Sequence, residues 1–259
     1  MIEEVLEGGG RNAVVRVGDV VHRGTGPWAK TVHSLLRHLE AEGFDGAPRV
    51  VGTGFDDTDR ETLSFVEGAT PPRYKWAPEV MGDVGALVRR VHEASATFVP
   101  PEDAVWRDWF GRDLGDGARI IGHCDTGPWN IIARDGKPVA LVDWEEAGPV
   151  DPLVELAQTC WLNAQLYDDD IAGRDGLGDA AARARDLTAI VDGYGLARAQ
   201  RGGLVELMIG FAIHASANEA RLGDLTPGKP EDVLGAVAWR TRSASWMLTH
   251  RALFENALR

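Results

Sequence analysis

One stretch constrains this chain more than any other. It is Ile120-Ile121-Gly122-His123-Cys124-Asp125-Thr126-Gly127-Pro128-Trp129-Asn130, followed by the apolar run Val139-Ala140-Leu141-Val142 that closes on Asp143-Trp144. This short segment holds His123, Asp125 and Asn130, with Asp143 closing the second apolar run. That spacing suits phosphoryl transfer, in which each group has its own task. Asp125 would accept a hydrogen bond from an attacking hydroxyl, while the amide oxygen of Asn130 and the carboxylate of Asp143 hold Mg2+ against nucleotide phosphates. The same residues also fit a plain hairpin whose Asp and Asn cap its turns. Cys124, between His123 and Asp125, leaves room for a third reading, a thiol- or metal-dependent hydrolase.

The remainder of the chain limits these choices. At 259 residues and 44% hydrophobic content it can bury a sizeable core, as one large or two small domains. A net charge of −13 argues against a nucleic-acid partner, because a phosphate backbone needs clustered Lys and Arg. Acidity suits a neutral or cationic small molecule, and equally serves solubility alone. Two cysteines, Cys124 and Cys160, make neither a disulfide framework nor a C-x-x-C metal pattern, which points to a reducing compartment. Met1 to Leu6 carries no basic and apolar leader, and no run reaches the length of a membrane span. The expectation is a cytoplasmic protein, monomer or homodimer, without a membrane partner.

The central segment resembles the catalytic and metal loops of the aminoglycoside phosphotransferase (APH) family, which is similar in fold to protein kinases. The resemblance implies an α+β, bilobal, protein kinase-like fold with a small antiparallel N-terminal sheet lobe (residues 1–68) and a larger, mainly helical C-terminal lobe (69–259). It implies Asp125 as catalytic base, Asn130 and Asp143 as metal ligands, His123 as a brace of the loop and Asp151 as a second brace. The cofactors implied are Mg2+ and ATP, with GTP an alternative. The acceptor is a small-molecule hydroxyl, on an aminoglycoside, amino-alcohol or sugar.

Taken in order, a short strand near residues 5–7 runs into Gly8-Gly9-Gly10, after which 13–17 and 20–23 read as strands. A glycine run can cradle phosphate oxygens, and it can be a simple turn. The family usually ends its third strand with a phosphate-pairing Lys, and the most similar position here is Arg23. Residues 27–42 read as a helix, with Val32, Leu35, Leu36 and Leu39 at helical spacing. The family places the lysine's acidic partner in the first half of this helix, where this chain has Thr31, Val32, His33 and Ser34. That gap motivates an alternative, a weakly active or inactive kinase-fold protein that only binds a nucleotide or ligand.

Residues 49–55 and 61–66 read as two strands, and Phe65 and Glu67 begin a hinge that the resemblance assigns to the nucleotide base. A helix is predicted at 77–96, with a buried stripe of Val80, Val84, Leu87, Val88 and Val91. Further helices are predicted at 153–166, 179–194, 199–222 and 231–258, with an acidic loop at Asp168-Asp169-Asp170 that either faces solvent or attracts a cationic acceptor. Glu145, Glu146, Trp161, His214 and Asn218 are candidate acceptor contacts. The last two belong to a polar seam on their helix that also fits a wet face.

Overall fold

The computed structural model of the chain describes residues 3–6, 14–223 and 234–259. Five antiparallel strands form its N-terminal part: β1 (Glu3–Leu6), β2 (Val14–Val17), β3 (Val20–Arg23), β4 (Val50–Phe55) and β5 (Glu61–Ser64), in the spatial order β1-β2-β3-β5-β4. Gly18 and Asp19 turn β2 into β3, and the positive φ of Gly18 (63°) is the conformation such a tight turn needs. Gly8, Gly9 and Gly10 lie outside the described residues. Helix α1 (Ala29–Ala41) packs Val32, Leu35, Leu36 and Leu39 inward, as their spacing predicts. It ends where Gly43 adopts φ 76° and Phe44 N–H donates to the Leu39 carbonyl.

Beyond Ser64 the chain becomes mainly helical: α2 (Met81–Ser95), α3 (Pro152–Asn163), α4 (Asp169–Asp175), α5 (Ala180–Tyr194), α6 (Leu204–Leu222), α7 (Leu234–Thr249) and α8 (Arg251–Leu258). This is the α+β arrangement expected, an antiparallel sheet followed by a helical body. Helices α2 and α5 cross so closely that a Cβ on Gly85 would stand 1.9 Å from the Ile190 carbonyl oxygen, and one on Gly193 the same distance from that of Gly82. Glycine is therefore required at this crossing. Two expectations need correction. Asp168-Asp169-Asp170 is the start of a helix, not a loop: Asp168 caps α4 by accepting from Ile171 N–H at 3.0 Å, and Arg242 and Arg183 pair with the three carboxylates. The single helix predicted at 231–258 is interrupted at His250, separating α7 from α8.

Between the sheet and the late helices lie two small ladders, β6 (Ile120–Gly122) with β9 (Gly148–Val150) and β7 (Ile131–Arg134) with β8 (Lys137–Leu141). The segment after β5 touches this region directly, through paired Ala69 and Ala133 backbones. One apolar core runs continuously from Val32 on α1 to Leu258 on α8. Among the described residues no helix is long and apolar enough to cross a membrane.

Candidate active site

The loop between β6 and β7 carries His123, Asp125 and Asn130, and the turn after β8 carries Asp143. Asp125, Asn130, Asp143 and Arg23 all line one cavity of about 810 Å³. Asn130 Nδ2 donates to the Asp125 carboxylate at 2.7 Å and to its carbonyl at 3.1 Å, so Oδ1 is the outward end of the amide. Val142 N–H donates to the Asn130 carbonyl at 2.9 Å and ties the two halves of the site together. Cys124 (φ 68°) and Asp143 (φ 63°) adopt left-handed backbone, an uncommon and costly conformation for non-glycine residues that recurs at functional sites. A carboxylate and an amide oxygen are hard donors that suit Mg2+ when phosphates complete its shell.

His123 is fully buried. Its Nε2–H donates to the Val142 carbonyl at 2.9 Å and its Nδ1 accepts from Asp125 N–H at 3.2 Å, an arrangement that needs the neutral ring. Burial lowers its pKa in the same sense. The ring is therefore a strut between the two halves of the site. Asp125 itself is pushed up to about 6, first by burial and then by the nearby Asp143 charge, with bonds from Trp129 and Asn130 opposing the rise.

The second brace is not where the resemblance puts it. Asp151 caps α3 by accepting from Leu153 N–H at 2.9 Å, and its other oxygen accepts from Gly117 N–H at 2.7 Å, so it anchors the chain entering β6 instead of the loop after it. The loop is held from one turn further along α3. Glu155 accepts the Cys124 N–H, and Gln158 accepts Thr126 N–H at 3.3 Å. Thr159 bonds the Thr126 hydroxyl at 2.8 Å, and Asn163 Nδ2 donates to the Thr126 carbonyl at 2.9 Å. Glu155 is in turn bonded to His92 of α2 at 2.5 Å, and His92 to the Tyr194 hydroxyl of α5 at 2.8 Å. The spacing of Glu155, Thr159 and Asn163 in an otherwise apolar helix was the available signal.

Arg23 ends β3, and register places it opposite Glu61 of β5. Its guanidinium bonds both Glu61 and Asp143. Burial works against that charge, but the two carboxylates outweigh it and hold the pKa above the ordinary arginine value. His33, in the half of α1 that lacks an acid, bonds the other oxygen of Glu61 at 2.8 Å. The carboxylate missing from the helix is thus supplied by the neighbouring strand.

The remaining candidates separate. Glu145, Glu146, Trp161 and Asn218 line the cavity, whereas His214 is exposed and is not among its lining residues. The seam therefore splits: Asn218 meets the cavity while His214 faces outward, as does Glu206 two turns earlier on the helix, paired with Arg251 at 2.8 Å. Phe65 and Glu67 lie outside the cavity lining; both meet Arg16, which stacks 3.6 Å over the Phe65 ring and bonds Glu67 at 3.0 Å.

Cys124 is buried, and desolvation, with the Glu155 charge behind it, pushes its thiol well above the usual cysteine range. A thiolate nucleophile is disfavoured there. Cys124→Ser is expected to change turnover less than about threefold while costing roughly 1–2 kcal/mol of stability for a buried hydroxyl; loss of activity in a folded variant would contradict this.

Known proteins resemble this chain in sequence and in fold. Residues 102–195, which hold the whole loop, match the APH phosphotransferase enzyme family. A trifolitoxin immunity protein of Rhizobium leguminosarum bv. trifolii is 58% identical over 257 residues, covering 99% of this chain and 98% of that one. Among solved structures, a choline/ethanolamine kinase family protein from Mesorhizobium loti aligns with TM-score 0.65 at 17% identity, covering 100% of this chain and 91% of the other. The amicoumacin kinase hAmiN, in complex with AMP-PNP, Ca2+ and Ami, aligns with TM-score 0.67 at 12% identity over 94% of this chain and 88% of its own. The fold is protein kinase-like, and the chain belongs to the APH phosphotransferase enzyme family.

Proposed function

We propose that this protein transfers the γ-phosphoryl group of ATP, or GTP, to a hydroxyl of a small-molecule antibiotic or toxin. Aminoglycoside-like, amino-alcohol and sugar-like compounds are the first classes to test. The observation that carries this reading is the meeting of Asp125, Asn130, Asp143 and Arg23 on one cavity whose far end is walled by side chains of the helical part. The 58% identical relative bears a name that attaches it to immunity against trifolitoxin, and chemical modification of a toxin is one route to immunity.

Asp125 orients the acceptor hydroxyl and takes its proton as the oxygen bonds to phosphorus and the bond to the β–γ bridging oxygen breaks. Arg23 offers a fixed guanidinium to the phosphates, and Asn130 and Asp143 would hold Mg2+. Bound there, Mg2+ neutralises charge on the phosphate oxygens. Catalysis rests on positioning and charge, so the precision of the α3 brace matters.

The alternative of a non-catalytic binding protein arose from an arginine without its helix acid, and Glu61 supplies that partner. The test is ATP or GTP consumption with Mg2+ against a panel of aminoglycosides, amino-alcohols, sugars and hydroxylated antibiotics. Consumption that depends on one acceptor and disappears with excess EDTA is expected. Nucleotide binding without turnover across the panel would favour the binding-protein reading.

A further inference from the structure

Six of the nine tryptophans, Trp28, Trp106, Trp109, Trp129, Trp161 and Trp239, line the same cavity. At its helical end Trp161 lies nearly parallel to Trp239, ring centroids 5.3 Å apart at 23°, and tilted against Phe211 at 6.2 Å. Trp109 meets Phe211 at 5.8 Å and closes the wall. Aromatic side chains usually serve the core, but these face a space.

Polar atoms within the wall indicate what that space takes. A buried indole N–H ordinarily finds an acceptor. Trp76 donates to Asn163 at 2.9 Å, Trp144 to the Leu141 carbonyl at 2.8 Å and Trp246 to Asp169 at 2.9 Å. Trp161 is the exception: it is 2% exposed, and its Nε1 has no partner among the described residues. Glu146 Oε2, on the same cavity, is also buried without a partner. An unmet donor in an aromatic wall and an unmet carboxylate oxygen on the same cavity call for a ligand that brings an acceptor on a flat group and a donor beside it.

The charges of this end are largely answered from within. Arg107 pairs with Glu145 and Glu146, and Arg240 bonds Glu219 at 3.0 Å. The Asp168–170 carboxylates are taken by Arg242 and Arg183 and lie outside the cavity lining. Beyond the carboxylates assigned to the metal and the base, Asp108 and one oxygen of Glu146 are what this cavity leaves for a cation among the described residues, too few for a polycation.

We infer that the acceptor molecule is held by a flat, conjugated group carrying a hydrogen-bond acceptor, which lies against the Trp109–Phe211–Trp239 wall and receives the Trp161 N–H. This rests on the kinase reading only in calling that end of the cavity the acceptor end. It narrows the expectation of a neutral or cationic acceptor to one recognised by ring and carbonyl or ring nitrogen.

The test begins with the native protein, without nucleotide, followed by tryptophan fluorescence quenching and calorimetry. N-benzoylethanolamine offers a flat conjugated ring, a carbonyl and a hydroxyl; 3-phenylpropan-1-ol keeps ring and hydroxyl without the carbonyl; choline and kanamycin carry charge without a flat ring. N-benzoylethanolamine is expected to bind about tenfold more tightly than 3-phenylpropan-1-ol, and both more tightly than choline or kanamycin. In Trp161→Phe the tenfold preference should vanish while 3-phenylpropan-1-ol binds as before, which also reports an intact pocket. Tighter binding of choline or kanamycin, no binding of N-benzoylethanolamine, or equal binding of the two ring compounds to the native protein overturns the inference. So does a carbonyl preference that survives in Trp161→Phe. Nucleotide consumption is read in parallel: the expected binding pattern without turnover on any acceptor sinks the kinase reading alone, whereas turnover on kanamycin with no ring preference sinks this inference alone.

Discussion

Asp125→Ala is expected to lower kcat by about a thousandfold or more, within the range set by removal of a positioned general base in concert with its orienting contacts. The melting temperature should hold or rise slightly. Its carboxylate is desolvated and stands near Asp143, which is why its pKa lies near 6, so its removal relieves an unfavourable charge. Asn130 keeps the Asp125 carbonyl as a partner at 3.1 Å, and α3 holds the loop through Cys124 and Thr126, which the substitution does not touch. The pH dependence follows with its sign. As the proposed base, Asp125 would work ionised, so kcat/KM should fall as pH drops through about 6 and level off above it. Mg2+ beside Asp143 should move that limb to lower pH, because a nearby cation favours the carboxylate. Ordinary turnover in the folded alanine variant, checked by circular dichroism and steady-state kinetics, would remove Asp125 from the role of base.

The parts of this molecule that follow from local pattern were legible in the sequence. Val84, Leu87, Val88 and Val91 recur at helical spacing and are buried on α2, and the strand-loop-strand around Asp125, Asn130 and Asp143 announces a site before any geometry. What was hidden depends on partners distant in sequence. Glu61 reads as an ordinary acid beginning a strand, and only the β3–β5 register, which pairs it with Arg23, gives it meaning. Glu155, Gln158 and Asn163 sit in a helix whose polar residues would usually face water; here they face the loop from inside the core. Asp168-Asp169-Asp170 misled for the opposite reason. A run of like charge suggests a solvated loop, yet an aspartate is also a favoured helix cap, and Arg183 and Arg242 neutralise the group from other elements. The break at His250 carries neither Gly nor Pro, so no local signal marked it.

The Glu61 contact leads to the second large effect. Glu61 is 2% exposed and carries two bonded partners, Arg23 on one oxygen and His33 on the other. Burial alone would raise its pKa, but these two partners hold it below the ordinary glutamate value, so the charge is present at neutral pH. Replacing one partner of a buried ion pair strands the other charge in a poorly solvated place, which costs about 3–5 kcal/mol. Glu61→Ala should therefore destabilise the protein by about that amount in denaturant unfolding, with Glu61→Gln milder because the amide still accepts from one of the two partners.

The functional consequence is separate from the stability loss. Without Glu61, Arg23 has Asp143 as its remaining carboxylate partner, and a guanidinium drawn fully onto the carboxylate proposed to hold Mg2+ would compete with the metal. Glu61→Gln, assayed at a temperature where it is folded, is expected to raise the Mg2+ concentration needed for half-maximal rate by about tenfold and to lower kcat/KM for the nucleotide by about a hundredfold, through misplacement of the phosphates. His33→Asn keeps the Arg23–Glu61 pair and should cost only the order of one hydrogen bond, about 1 kcal/mol, with Mg2+ dependence near that of the native protein. A Glu61→Gln variant that is merely less stable, with its Mg2+ requirement unchanged, would mean that the strand carboxylate holds the sheet together and has no part in setting Arg23 for phosphate. The two variants together separate a carboxylate that tunes the site from one that only fills it.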